Sequence, residues 1–222
     1  MTEKLVTVDW VQEHRNDPNV RLVEVDMDTE AYREGHIEGA IAWNWTSQLQ
    51  DNIRRDILTK ADFEALMAKS GISNDTHIVL YGDNNNWFAA YALWLCELYG
   101  HERVSLMNGG RVKWLADNRP TTTAEPSVAP ASYTAKEANP ALRAVRDDVL
   151  KALGQPVQLV DVRSPAEFSG EVIAPPGMSE TAQRGGHIPG AKNIPWARAV
   201  NEDGTFRSTE ELQALYGAQG LQ

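Results

Sequence analysis

The chain has 222 residues, 42% hydrophobic and 23% charged, with 31 acidic against 21 basic side chains and a formal net charge of −10. This is the composition of a globular protein with room for two ordinary domains, and its acidity excludes a general nucleic-acid or anionic-membrane surface. The longest apolar stretch, Trp87 to Tyr99, is too short to span a bilayer and carries Glu97; with one cysteine, Cys96, and no signal-peptide pattern at Met1-Thr2-Glu3-Lys4, a reducing cytoplasm is the expectation.

In chain order, Thr7 caps a first helix whose apolar face begins with Val8, Trp10 and Val11, and Asn16-Asp17-Pro18-Asn19 ends it. Val20 to Asp26 is a near-continuous apolar run and predicts a parallel strand covered on both faces. Ile41 to Trp43 predicts a short strand, and Thr59-Lys60-Ala61-Asp62 resembles a capping box that opens a helix through Phe63, Leu66 and Met67 to Gly71. His77 to Tyr81 is the next buried strand. The loop Gly82 to Asn86 follows, then a helix from about Trp87 to Tyr99. Val104 to Met107 is another strand, and Gly109-Gly110 turns into a helix ending before Arg119-Pro120. Strands alternating with helices predict an α/β fold with a largely parallel sheet.

From Pro120 to about Pro130 the composition shifts to Thr, Ala, Pro and Ser without periodicity, which predicts a linker. Beyond it, Tyr133 to Ala138 reads as extended, Arg143 to Leu153 as a helix, Val157 to Arg163 as a strand, and Thr209 to Tyr216 as a helix.

One segment occurs twice. Leu22-Val23-Glu24-Val25-Asp26, then Tyr32 and Gly35-His36-Ile37-Glu38-Gly39-Ala40, is matched by Leu159-Val160-Asp161-Val162-Arg163, then Phe168 and Gly186-His187-Ile188-Pro189-Gly190-Ala191. Each copy reads as a buried strand with an acid near its end, a loop with an aromatic, and a histidine-bearing turn. The two leucines are 137 positions apart and the two histidines 151, so the second copy carries about 14 extra residues, rich in Pro, Gly and Ser, between Gly170 and Gly185. The pattern is that of an internal duplication.

The run Leu159 to Phe168 followed by Gly186-His187-Ile188-Pro189-Gly190-Ala191 resembles the entry signature of rhodanese-like domains. Gly71-Ile72-Ser73, Gly100-His101 and Met107-Asn108-Gly109-Gly110 leading to Trp114 extend the likeness over the first copy. The resemblance implies two tandem rhodanese-like α/β domains, each a mainly parallel sheet flanked by helices: residues 1–120, a linker 121–140, and residues 141–222. It further implies sulfur transfer from thiosulfate to a thiophilic acceptor, cyanide or a thiol, through a cysteine persulfide, with no metal or organic cofactor, no nucleic acid and no membrane. A mercaptopyruvate-type enzyme and a non-catalytic binding module are the alternatives.

In that family the reactive cysteine lies on the loop after the fourth strand of the second domain, where helix-terminal N–H groups stabilise the thiolate. Gly220 corresponds to Gly71, so the counterpart of the Gly82 loop would fall near position 231, and the sequence stops at Gln222. The expectation is a second domain that is incomplete, inactive by itself, and open to a chain supplying the missing strands. The matching first-copy loop, Gly82 to Asn86, has no cysteine. Cys96 lies mid-helix and reads as core packing rather than as a nucleophile.

Pocket candidates are therefore Asp161 and Arg163, Trp87 and Phe88, and Trp196. Asp161 and Arg163 read equally as a pocket wall or as an ion pair capping the turn toward Phe168. Trp87 and Phe88 stand where the inert half of tandem rhodaneses supplies aromatics, with core packing an equal reading for one of them. His36 and His187 read as turn histidines bonded to backbone, since no ligand cluster supports zinc. Arg54-Arg55 and Arg111 to Lys113 read as solvated surface.

Overall fold

The computed structural model describes residues 3–54, 56–174 and 182–221. The chain divides into two compact units, Met1–Arg143 with Glu202–Thr205, and Ala144–Asn201 with Phe206–Gln222.

In the first unit, β1 (Leu5–Val6) leads into α1 (Val8–His14), whose Trp10 N–H is capped by Thr7 Oγ1 at 3.1 Å. β2 (Val20–Asp26), α2 (Glu30–Glu34), β3 (Ile41–Asn44) and α3 (Trp45–Gln48) follow, then the hairpin β4 (Gln50–Asp51) and β5 (Asp56–Ile57). α4 (Lys60–Lys69), β6 (His77–Tyr81), α5 (Trp87–Leu98), β7 (Val104–Met107) and α6 (Gly110–Ala116) complete the alternation. Five strands form one sheet in the order β1-β7-β6-β2-β3, all parallel. β2 pairs on both sides and is buried on both faces, which is why its run is mostly apolar: Leu22, Val23 and Val25 are buried with Ile78, Val79 and Leu80 of β6. The buried indoles of Trp43 and Trp114 donate to Ser70 Oγ at 2.8 Å and Pro120 O at 3.0 Å. At the start of α4, Asp62 differs from a full capping box: its carboxylate takes the Thr59 hydroxyl at 2.6 Å.

Residues 121–140, expected as a linker, run over the first unit. Thr122 exchanges both backbone hydrogen bonds with His36, Ala131 N–H donates to Ala68 O, and Thr134 exchanges two with the Asn74 side chain. Tyr133 and Ala135 are buried, Tyr133 standing edge-on to Phe63 with ring centroids 5.9 Å apart. A segment without period 2 or 3.6 matches a non-helical strap as well as a linker, and only its partners distinguish the two.

The second unit contains α7 (Arg146–Ala152), β8 (Val160–Asp161), α8 (Pro165–Ser169), β9 (Lys192–Asn193) and α9 (Thr209–Gly217). Its opening helix starts three residues after the expected Arg143. The strand expected over Val157 to Arg163 is two residues long, paired in parallel with β9, and Val157, Val160 and Val162 are exposed. An apolar run becomes a long strand only when neighbours on both sides take up its N–H and C=O groups. Beside α9, Leu212, Tyr216 and Leu221 line an open apolar cleft of about 470 Å³. Part of the extra segment before Gly185, residues 175–181, lies outside the described residues, as does Arg55.

The shared motif has the same register in both units. Val23 faces Ile41 and Glu24 faces Ala42, while at the matching positions Val160 faces Lys192 and Asp161 faces Asn193.

Candidate functional site

Open parallel sheets offer ligand sites beyond the C-terminal ends of their strands. In the second unit that edge is formed by β8 and the residues after it. Arg163 donates Nε to Asp161 Oδ1 at 3.0 Å and Nη2 to Oδ2 at 2.6 Å, a two-pronged ion pair between residues i and i+2. The same Nη2 reaches Gly186 O at 2.8 Å, and the Arg163 N–H returns to Asp161 Oδ1 at 3.0 Å. The guanidinium holds the Asp161 carboxyl below the usual carboxylate range. Asn193 donates to both Asp161 O and Arg163 O, and Trp196 N–H donates to Val162 O, so Trp196 opens its 3₁₀ turn beside the pair. Ser164 then caps α8 with Glu167 in a reciprocal box.

The two histidines are turn histidines. His187 Nδ1 bonds Phe168 O at 2.8 Å and its ring stacks on Phe168 at 3.6 Å. His36 repeats this with Tyr32, at 2.9 Å and 3.7 Å. Among the described residues no cluster of three His, Cys, Asp or Glu side chains is arranged to hold a metal.

In the first unit the matching edge is built differently. Glu24 and Asp26, at the positions of Asp161 and Arg163, are both buried. The cation comes from α6: Arg111 Nη1 bonds Glu24 Oε1 at 2.8 Å and its Nη2 bonds Ala31 O at 2.9 Å. Arg111, expected on the solvated surface, is thus mostly buried and paired, its side chain 13% exposed. Its partner lies 87 positions away, and a short-range pattern of basic residues carries no trace of it. Above this pair, Gly82 to Asn86 turns into α5 through three asparagines with positive φ, at 45°, 55° and 64°, a conformation asparagine tolerates better than most residues. Asn86 fixes the turn by accepting the Gly82 N–H at 3.0 Å and donating to Met107 O at 2.8 Å. Trp87 and Phe88 follow with rings stacked at 5.5 Å; Phe88 is buried against Trp45, while Trp87 is 40% exposed.

Of the candidates, Asp161 and Arg163 are bonded to each other with Trp196 next to them, and Trp87 and Phe88 are stacked on each other. The five fall in two units. Cys96 is fully buried in α5, and burial pushes its thiol up to about 12, so it holds almost no thiolate at neutral pH.

The model of the rhodanese-like domain matches residues 7–117 and 145–218. The chain belongs to that family. It is 58% identical to a Haloferax volcanii protein named "Putative thiosulfate sulfurtransferase", over 98% of this chain and 78% of that one. It is 52% identical to the sulfur carrier protein TtuD of Thermus thermophilus, over 99% of this chain and 79% of that one. Among solved structures, the 3-mercaptopyruvate sulfotransferase SseA of Escherichia coli superposes with a TM-score of 0.85 at 29% identity, covering all of this chain and 85% of that one. The matched family, the parallel sheet and the strand–helix alternation agree with the expected α/β architecture. No helix of the described residues is long and apolar enough to cross a membrane.

Proposed function

We propose that this rhodanese-like chain works in sulfur transfer from thiosulfate, as two tandem domains, with the second bearing the donor pocket. The observation that carries the reading is the Asp161–Arg163 pair at the end of β8: a guanidinium fixed on two sides, by a carboxylate and by Gly186 O, and still about one-third exposed. A cation held in place and open to solvent suits a small sulfur oxyanion. The identity to proteins named for thiosulfate sulfurtransfer supports the same donor class.

In the reaction a cysteine thiolate attacks the outer sulfur of thiosulfate. The S–S bond breaks, sulfite leaves with the bonding pair, and a cysteine persulfide remains. Cyanide or a thiol then attacks the outer persulfide sulfur, a new bond to sulfur forms, the persulfide S–S bond breaks, and the thiolate returns. Cys96 cannot serve, being buried with a raised pKa. The thiolate is therefore proposed to come from outside these 222 residues, Arg163 to hold the donor's anionic end, and Asp161 to orient Arg163. Trp196, next to the pair, is proposed as apolar wall. No cofactor is invoked, and a cytoplasmic site is proposed.

The test is thiocyanate release from thiosulfate and cyanide by the natural full-length protein, with its intact mass recorded, for wild type and Arg163→Ala. A rise in KM for thiosulfate of about tenfold or more, about 1.4 kcal/mol, is expected. Unchanged kinetics would remove Arg163 from the pocket. Preference for mercaptopyruvate would favour the SseA-like alternative, and absence of transfer with either donor would favour a binding module, for which the burial of Cys96 is the supporting observation.

A further inference from the structure

The edge of the first unit holds three carboxyl groups and one guanidinium. Glu24 and Asp26 project from the same face of β2, two residues apart. Asp83, in the loop above, gives its N–H to Asp26 Oδ1 at 2.7 Å. Arg111 is committed to Glu24 Oε1 and Ala31 O, and among the described residues Asp26 has no ion pair. Glu24 Oε2 is buried without a hydrogen-bond partner. The Tyr81 hydroxyl and the Asp26 carboxyl both face Glu24, but neither meets hydrogen-bond geometry at that oxygen. The loop backbone presses directly on the group: a Cβ on Gly82 would lie 2.7 Å from Asp26 Oδ1 and 2.3 Å from Val25 O.

Two buried carboxylates, with the half-buried Asp83 beside them and one cation committed to Glu24, leave Asp26 a charge that nothing pairs among the described residues, and a group in that position takes up a proton instead. We propose that Asp26 carries a proton at neutral pH and that this proton latches the loop Gly82–Asn86 onto the end of β2. With it, Asp26 accepts the Asp83 N–H through Oδ1 and puts no second negative charge beside Glu24 and Asp83. Without it, Asp26 repels Glu24 and Asp83, and the loop that leads into Trp87 loses its seat.

The charged groups that act on Asp26 are Asp83 in the loop and Glu24 on β2, and Glu24 in turn faces Tyr81 on β6, Arg111 on α6 and His36 in the turn after α2. Burial, followed by the Asp83 and Glu24 charges, pushes the Asp26 carboxyl up to about 8, while the Asp83 N–H bond pulls it down. The folded value lies above the unfolded one, so the contribution to stability is full below the unfolded value and is lost as pH rises toward 8.

The experiment is a carboxyl-carbon NMR titration of the labelled protein from pH 5 to 9, with hydrogen exchange at the Asp83 amide corrected for its intrinsic pH dependence. One carboxyl titrating near 8, absent in Asp26→Asn and shifted downward in Asp83→Asn, is expected. Asp83 exchange should accelerate at least tenfold from pH 7 to 9 in wild type and stay level in Asp26→Asn, whose amide keeps a donor without a charge. If every carboxyl titrates below 6, the proton is not there. If one titrates near 8 while Asp83 exchange follows only its intrinsic rate, the latch is overturned.

Discussion

The ends of β2 and β8 are one motif with two solutions to the same electrostatic problem. In the second unit the acid at 161 is balanced by the residue two places on, Arg163, and the pair keeps contact with water. In the first unit both positions are acids, both are buried, and the balancing Arg111 arrives from a helix on the other side of the sequence. A local, half-exposed pair costs little to hold and leaves its cation available to a ligand. A remote, buried pair is rigid, is closed to solvent, and depends on the whole fold. The lesson is that a repeat conserves backbone register while the side chains at its edge are free to specialise.

The largest difference should appear in local opening. Amides of β2 and β6, paired on both sides, are expected to exchange hundreds of times slower than those of β8, about 3 kcal/mol or more, as read by native-state hydrogen exchange. Uniform protection of residues 144–221 would mean that a partner covers the exposed valines of that unit. Next comes the pair itself. Arg111→Ala leaves Glu24 buried and uncompensated and should cost about 3–5 kcal/mol, whereas Arg163→Ala should cost less than about 1 kcal/mol; urea melts of both variants test the contrast. Similar losses would mean that the second pair is as structural as the first.

A smaller effect concerns acid. Burial lowers the pKa of His77 and of His101, with the positive charge of Arg103 adding to it in both. Their neutral forms are favoured on folding, so their contribution is full above the unfolded value near 6.5 and is lost as pH falls below it. Both lie in the first unit, and His77→Gln should flatten the fall in its melting temperature between pH 6.5 and 5. The smallest and most even effect is capping: Thr7→Ala and Ser208→Ala should each cost about 1 kcal/mol, because both hydroxyls accept the N–H three residues on.

Much of the first unit was legible in the chain itself. Val20 to Asp26, His77 to Tyr81 and Val104 to Met107 were bounded to the residue because a strand buried on both faces is apolar at most positions. The second unit was less legible for the converse reason: the Val157 to Arg163 run has the same character, but its ladder stops at two residues, where pairing stops. Asp161 and Arg163 were visible as a pair because both stand at the end of the expected strand, at the edge where open α/β sheets place ligands. Arg111 was invisible because its role is defined by Glu24 across the fold. The course of residues 121–140 along the first unit was not legible because the backbone bonds that hold it run to segments distant in sequence, His36, Ala68, Tyr99 and Leu98.

The sequence alone determined the two matching motifs and the α/β alternation, since each is a matter of local period or spacing. Tertiary structure alone decided which charges are buried and which guanidinium faces water. Those properties depend on desolvation and on partners distant in sequence, and no local pattern encodes them.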